Sequence, residues 1–132
     1  MAEMKAVNPW TWQDAFHFSQ GVEVQNGSRV IYCAGQTSVD AQGNVLHAGD
    51  MGQQVSTALD NLEAVLAKAG MTLANVVRLN YYVTDIDTFF AVHGLIGERF
   101  ATLRVKPSGT LLGISRLFHP DAMVEIEATA VE

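Results

Sequence analysis

The sequence predicts an α+β domain in which a mixed β-sheet carries two helices on one face. Three patterns support this fold class. Near the C-terminus Val124, Ile126, Ala128 and Ala130 alternate with Glu125, Glu127 and Thr129, the period of a strand with one buried face. Between Asp50 and Gly70, the residues Val55, Leu59, Leu62 and Leu66 recur at spacings of four, three and four, which puts them on one side of a helix. Runs rich in β-branched and aromatic residues lie before and after the helical stretches, giving the order strand, strand, helix, strand, helix, strand, strand.

Taken in order, Phe16 to Val24 is a mixed first strand. Gln25-Asn26-Gly27-Ser28 holds the Asn-Gly pair that favours a tight hairpin turn, so Arg29 to Ala34 should return antiparallel to the first strand. That second run, RVIYCA, is apolar on both faces and suits a strand buried between layers. Asp40 to Asn44 is a polar turn around Gly43. Asp50 opens the first helix and Gly70 ends it. Val76 to Val83 (VVRLNYYV) is the next strand, with Thr84-Asp85-Ile86-Asp87 as the loop after it. A second helix starts near Thr88. Its inner face carries Phe89, Val92 or His93, Ile96, Phe100 and Leu103, and Pro107 forbids its continuation. Gly94 and Gly97 weaken this helix or let something pack close to it. Thr110 to Ile114 and Met123 to Val131 complete the sheet.

The chain of 132 residues, 48% hydrophobic and 17% charged, fits one domain spanning 1–132, without repeats or linkers. A net charge of −6 argues against a nucleic acid or an anionic membrane as partner, since both reward clustered Lys and Arg. No apolar run approaches the roughly 18 residues that span a bilayer, and the N-terminus has no signal-like pattern, so a cytoplasmic location is expected. Cys33, the only cysteine, excludes an internal disulfide and reads as a small buried side chain. His17, His47, His93 and His119 lack metal-ligand spacing, so no metal site is expected. His93 reads as a packed histidine with a satisfied ring, and His119 as an exposed loop residue. No serine sits in a Gly-x-Ser-x-Gly elbow.

Two helices cover one face of such a sheet and leave the other open. Apolar side chains on that open face call for a partner, and a homo-oligomer with ligand clefts between subunits follows.

Several segments together resemble the RidA family, also called the YjgF or endoribonuclease L-PSP family. They are Phe18-Ser-Gln-Gly-Val22, Tyr32-Cys-Ala-Gly-Gln36 with Val39 and Gly43, Gln54 with Asp60-Asn61-Leu62, Val83-Thr-Asp85, Pro107 and Val124-Glu-Ile-Glu-Ala128. The match runs in order along almost the whole chain. It implies a chorismate-mutase-like fold, a homotrimer with small-molecule sites between subunits, and no cofactor. In its best-known branch the family hydrolyses reactive 2-enamines and 2-imines to 2-keto acids and ammonia.

By position, the resemblance implies that Glu125 is the catalytic, water-orienting glutamate and that Gly35 is the glycine beside the substrate. It places Leu111 where a backbone partner usually comes from cysteine, and Phe18 where an entrance aromatic is usually tyrosine. The arginine that grips the substrate carboxylate falls on Gly109. Glycine offers only a backbone N–H, whereas arginine offers a charged fork. Arg104, Lys106 and Arg116 lie near enough in sequence to be considered as displaced cations, and Arg116 is retained as a substrate-binding candidate. Lys106 otherwise reads as a solvated charge at a helix C-terminus. Ser108-Gly109-Thr110 could form a neutral anion pocket from N–H and O–H donors. Glu125 and Glu127, roughly 6.6 Å apart on one strand face, point the same way and do not suit a glycosidase pair.

Whether the chain is an enzyme stays open at this point. One alternative is a diverged imine or enamine deaminase, a hydrolase of C=N bonds. The other is a small-molecule-binding trimer without turnover. Ribonuclease activity is disfavoured, because the acidic chain shows no basic groove, no aromatic stacking platform and no acid/base histidine pair.

Overall fold

The computed structural model describes residues 2–132. Asp50 starts the first helix as its position predicts: its side chain accepts the Gln53 N–H at 3.0 Å, and α1 runs Met51–Lys68. Gly70, at φ 74°, closes it, with Gly70 N–H donating to Ala67 O at 3.0 Å and Met71 N–H to Leu66 O at 2.9 Å. This double bond pattern satisfies carbonyls that the helix end would otherwise leave unpaired.

Six strands form among the described residues: β1 (Glu3–Val7), β2 (Gly21–Gln25), β3 (Val30–Gln36), β4 (Val76–Val83), β5 (Ser108–Gly113) and β6 (Val124–Val131). Four of them form one mixed sheet in the order β3-β6-β4-β5. Strand β6 is antiparallel to both neighbours, while β4 and β5 run parallel. A parallel pair needs a crossover, supplied here by α2 (Ile86–Val92) and α3 (Gly94–Phe100). The predicted α+β class and the placement of helices on one face therefore hold.

The core lies between α1 and that sheet. Val55, Leu59, Leu62 and Leu66 are fully buried against strand residues that include Leu79, Val83, Val124, Ile126 and Ala130. The alternation expected of the last strand is observed: Val124, Ile126, Ala128 and Ala130 turn inward, and Glu125, Glu127 and Thr129 turn to the other face. That face also carries Val30, Tyr32 and Leu112, with Tyr32 80% exposed.

Two local expectations are corrected. Strand β2 pairs with β1, which the sequence pattern did not reveal, and forms no ladder with β3. Asn26 does take the left-handed turn conformation, at φ 59°. The N–H groups of Ser28 and Arg29 then donate to Glu132 O, at 2.7 and 3.1 Å, instead of returning to β2. Residues 16–20 are not strand either; a 3₁₀ turn occupies Trp12–Phe16, and His17 follows it at φ 64°.

The second helix is in fact two. It begins at Ile86, capped by the Asp85 side chain, which accepts the Thr88 N–H at 3.1 Å, and it breaks at His93. The cause is local. The Phe90 carbonyl accepts the His93 N–H at 3.4 Å and also lies 2.9 Å from His93 Nδ1, so it does not serve the following turn.

Candidate functional site

An aromatic-lined cavity of about 350 Å³ opens between the β4–β5 pair and α2–α3. Leu79 and Tyr81 on β4 and Gly109 and Leu111 on β5 form its floor. Phe89, His93, Ile96 and Phe100 form the helical wall, and Trp12, Phe16, His17 and Phe18 cover it from the N-terminal turn. The lining follows from alternation along β4, where Leu79, Tyr81 and Val83 face the helices. Trp12 packs edge-to-face on Phe16 and Phe18, and Phe16 on Phe90, so the cover is a connected set of rings.

Few polar groups reach this space. Burial raises the Tyr81 pKa, keeping its hydroxyl neutral. Among the described residues that hydroxyl makes no hydrogen bond. His17 and His93 stand with ring centroids 5.6 Å apart. The ring of His17 packs so closely on α3 that a methyl group placed on Gly97 would lie 2.5 Å from its Nε2. Gly97 is therefore the close-packing glycine foreseen in the sequence. His93 corrects the expectation of a fully satisfied ring: Nδ1 has Phe90 O, and Nε2 has no partner among the described residues.

Among the described residues no arginine or lysine lines the cavity. At Gly109 the reason lies in the backbone, because a Cβ there would collide with the carbonyl oxygen of Leu79. Lys106 Nζ donates to Phe100 O at 2.8 Å and Leu103 O at 3.0 Å, capping α3 as a partly buried ammonium and not as a solvated charge. Arg104 and Arg116 are exposed, and Arg116 lies in the loop after β5. The anion pocket expected at Ser108-Gly109-Thr110 loses its hydroxyls: Ser108 Oγ donates to Val77 O at 2.9 Å, and Thr110 Oγ1 is engaged by Arg78 at 2.9 Å.

A second, polar cluster occupies the open face of the sheet. Arg78, Asn80 and Tyr82 alternate along β4 opposite Thr129, Glu127 and Glu125 on β6. Glu127 accepts from the Tyr82 hydroxyl and from Asn80 Nδ2, the latter at 3.0 Å. These two bonds, the tyrosine's first, hold the Glu127 carboxyl below its ordinary range, and Arg78 adds to the effect. The same contact raises the Tyr82 pKa. Glu125 lies over Gly35, beside a bulge in the β3–β6 ladder; a methyl group on Gly35 would come within 2.6 Å of its Cγ and Cδ.

The residues singled out in the sequence thus fall on two sides of the sheet. Phe18, Gly109 and Leu111 meet at the cavity, Gly35 and Glu125 meet on the open face, and Arg116 reaches neither. Arg78, His17 and His93 were missed as site residues. The signal for Arg78 was present, since Arg78, Asn80 and Tyr82 stand at every second position of a strand otherwise rich in valine and leucine. Among the described residues no group of three or more His, Cys, Asp or Glu side chains is placed to hold a metal ion.

The family model described as endoribonuclease L-PSP matches residues 12–132. A RutC family protein of Pyrococcus abyssi is 31% identical over 113 residues, covering 86% of this chain and 84% of the relative. A 2-iminobutanoate/2-iminopropanoate deaminase of Dermatophagoides farinae is 27% identical over 114 residues, again 86% of this chain and 84% of the relative. Among solved structures, the conserved Rid-family protein YyfB of Yersinia pestis, itself of unknown function, superposes with a TM-score of 0.88. It is 33% identical, and the match covers 98% of each chain. The cavity, the polar sheet face and the glycine at position 109 are therefore features of a chain that belongs to the Rid, or endoribonuclease L-PSP, family.

Proposed function

We propose that this protein binds a compact, uncharged, ring-bearing small molecule in the cavity over Gly109, and that it does so as a cytoplasmic homotrimer without a cofactor. The observation that carries this reading is the cavity lining: nine aromatic or imidazole side chains and, among the described residues, no lysine or arginine. Such a surface favours ligands that bury apolar area and leave few polar groups unpaired. A 2-imino acid carboxylate would enter it without an ionic partner, at a high desolvation cost. The trimer is supported by the open face, where Tyr32, Val30 and Leu112 are exposed. Among the described residues no helix is long and apolar enough to cross a membrane.

Thermal unfolding with added ligands tests this. A ligand present at 100 times its Kd adds about 2.7 kcal/mol to stability. Indole or 4-methylphenol should raise the melting temperature measurably, and 2-ketobutyrate should not. Stabilisation by 2-ketobutyrate alone would reject the proposal.

A second reading keeps the imine chemistry on the open face, and the placement of Glu125 over Gly35 favours it. There Glu125 would hold a water against a C=N carbon, water adding to that bond and ammonia leaving the carbonyl product. Arg78 on the same face offers a cation that Gly109 cannot. A threonine dehydratase supplied with threonine and semicarbazide distinguishes the two readings. Binding without turnover leaves the rate of semicarbazone formation unchanged on addition of this protein, whereas imine hydrolysis lowers it.

A further inference from the structure

We infer that His93 selects the ligand of the apolar cavity, by accepting a hydrogen bond at Nε2 from an N–H or O–H group on the ligand's ring. This deepens the ligand-binding reading above and rests on it. The ligand class becomes narrower: phenols, cyclic amides and ring N–H compounds, in preference to plain hydrocarbons.

The break between α2 and α3 fixes the tautomer of His93. A carbonyl oxygen can only accept, so at 2.9 Å from Phe90 O the Nδ1 of His93 must carry the proton. In the neutral ring the other nitrogen, Nε2, is then a lone-pair acceptor. Its orientation is held from several sides. The ring meets Phe90 edge-on at 6.1 Å and lies 6.2 Å from Phe16, centroid to centroid. In the neutral ring His93 is thus a fixed acceptor at the edge of a space with a mostly apolar, aromatic lining.

His17 does not share this role, although it stands beside His93. Its Nε2 edge faces Gly97 so closely that not even a methyl group fits between them. Tyr81, the other unpartnered polar group, contributes a neutral hydroxyl at the floor of the cavity. Against apolar walls one directed acceptor has a large effect on selectivity, because a ligand without a donor leaves it unpaired. The volume of about 350 Å³ limits the choice further, since it lies at the small end of ligand sites.

Two near-isosteric probes test the inference, 4-fluorophenol and 4-fluorotoluene, with affinities measured by fluorine NMR on the wild type and on His93→Phe. The phenylalanine keeps a flat ring and removes the acceptor. The ratio of fluorophenol to fluorotoluene affinity should fall roughly 3- to 10-fold in the variant, the range expected for one neutral hydrogen bond. In the wild type the nitrogen-15 resonance of His93 Nε2 should move with fluorophenol and stay put with fluorotoluene. This second readout decides the matter even if His93→Phe does not fold. An unchanged ratio, or an Nε2 resonance indifferent to fluorophenol, overturns the role of His93 while leaving the cavity as a binding site. Failure of both probes to bind the wild type overturns the cavity reading and this inference together.

Discussion

Gly109 sits where β5 runs so close to the Leu79 carbonyl that no Cβ fits, and the contact is with backbone rather than with a movable side chain. Gly109→Ala must therefore push β4 and β5 apart, and urea unfolding should register a loss of about 1–3 kcal/mol. By the same geometry Gly109→Arg should not create 2-imino acid deaminase activity in the semicarbazide assay, because the strand pair would have to separate before the guanidinium could be placed. On the opposite face, Glu127 has a depressed pKa, so its interactions stabilise the fold fully above the unfolded value, near 4.5, and are lost as pH falls through the native value. Tyr82 has the mirror dependence: its stabilisation is full below the unfolded value of 10.0 and is lost as pH rises through the native one. The stability difference between wild type and Glu127→Gln should accordingly be constant from pH 6 to 9 and shrink in acid below about pH 4.5. The family's spacing singled out Gly109, which lines the cavity, and Glu125, which lies over Gly35 on the open face. The alternation of Arg78 with Asn80 and Tyr82 was there to be read as well, whereas the meeting of His17 and His93 was not, because it comes from a turn and a helix end far apart in sequence.

Among the elements, the N-terminal end of α1 depends on Gln54. This fully buried side chain donates to His47 O at 3.2 Å and Asp121 O at 2.8 Å and accepts the Met123 N–H at 2.8 Å, joining the loop before α1 to the one before β6. Gln54→Leu would fit the space but leave three backbone groups without partners. A loss of at least about 2 kcal/mol is expected in denaturant unfolding, at the cost of 1–3 kcal/mol per buried unsatisfied group. Helix α1 was readable from spacing, because a four-three-four apolar pattern with Asp before it and Gly after it has few alternative conformations. The β1–β2 ladder and the break at His93 were not. The first pairs two short, largely exposed strands, and the second arises from a side chain taking a backbone carbonyl, which leaves no trace in hydrophobic periodicity.

For the whole molecule, the proposed trimer makes a direct prediction about the open sheet face. Tyr32→Asp adds a charge where a neighbouring subunit would sit, and light scattering during gel filtration should show the mass falling from three chains towards one. The circular dichroism should stay unchanged, because Tyr32 is 80% exposed in the single chain. The central position of β6 has a different consequence, one of timing. This strand lies between β3 and β4, yet it follows both in sequence, and its partner residues on β3 lie about a hundred positions earlier. Such distant pairing is slow to form, because long loops must close before the contacts reward them. A growing chain therefore holds two strands with nothing between them until β6 is made, and α1 has an incomplete surface to dock on. Folding must wait until β6 is available, so the chain passes through an interval in which its hydrophobic helix face is open to chaperones or to aggregation.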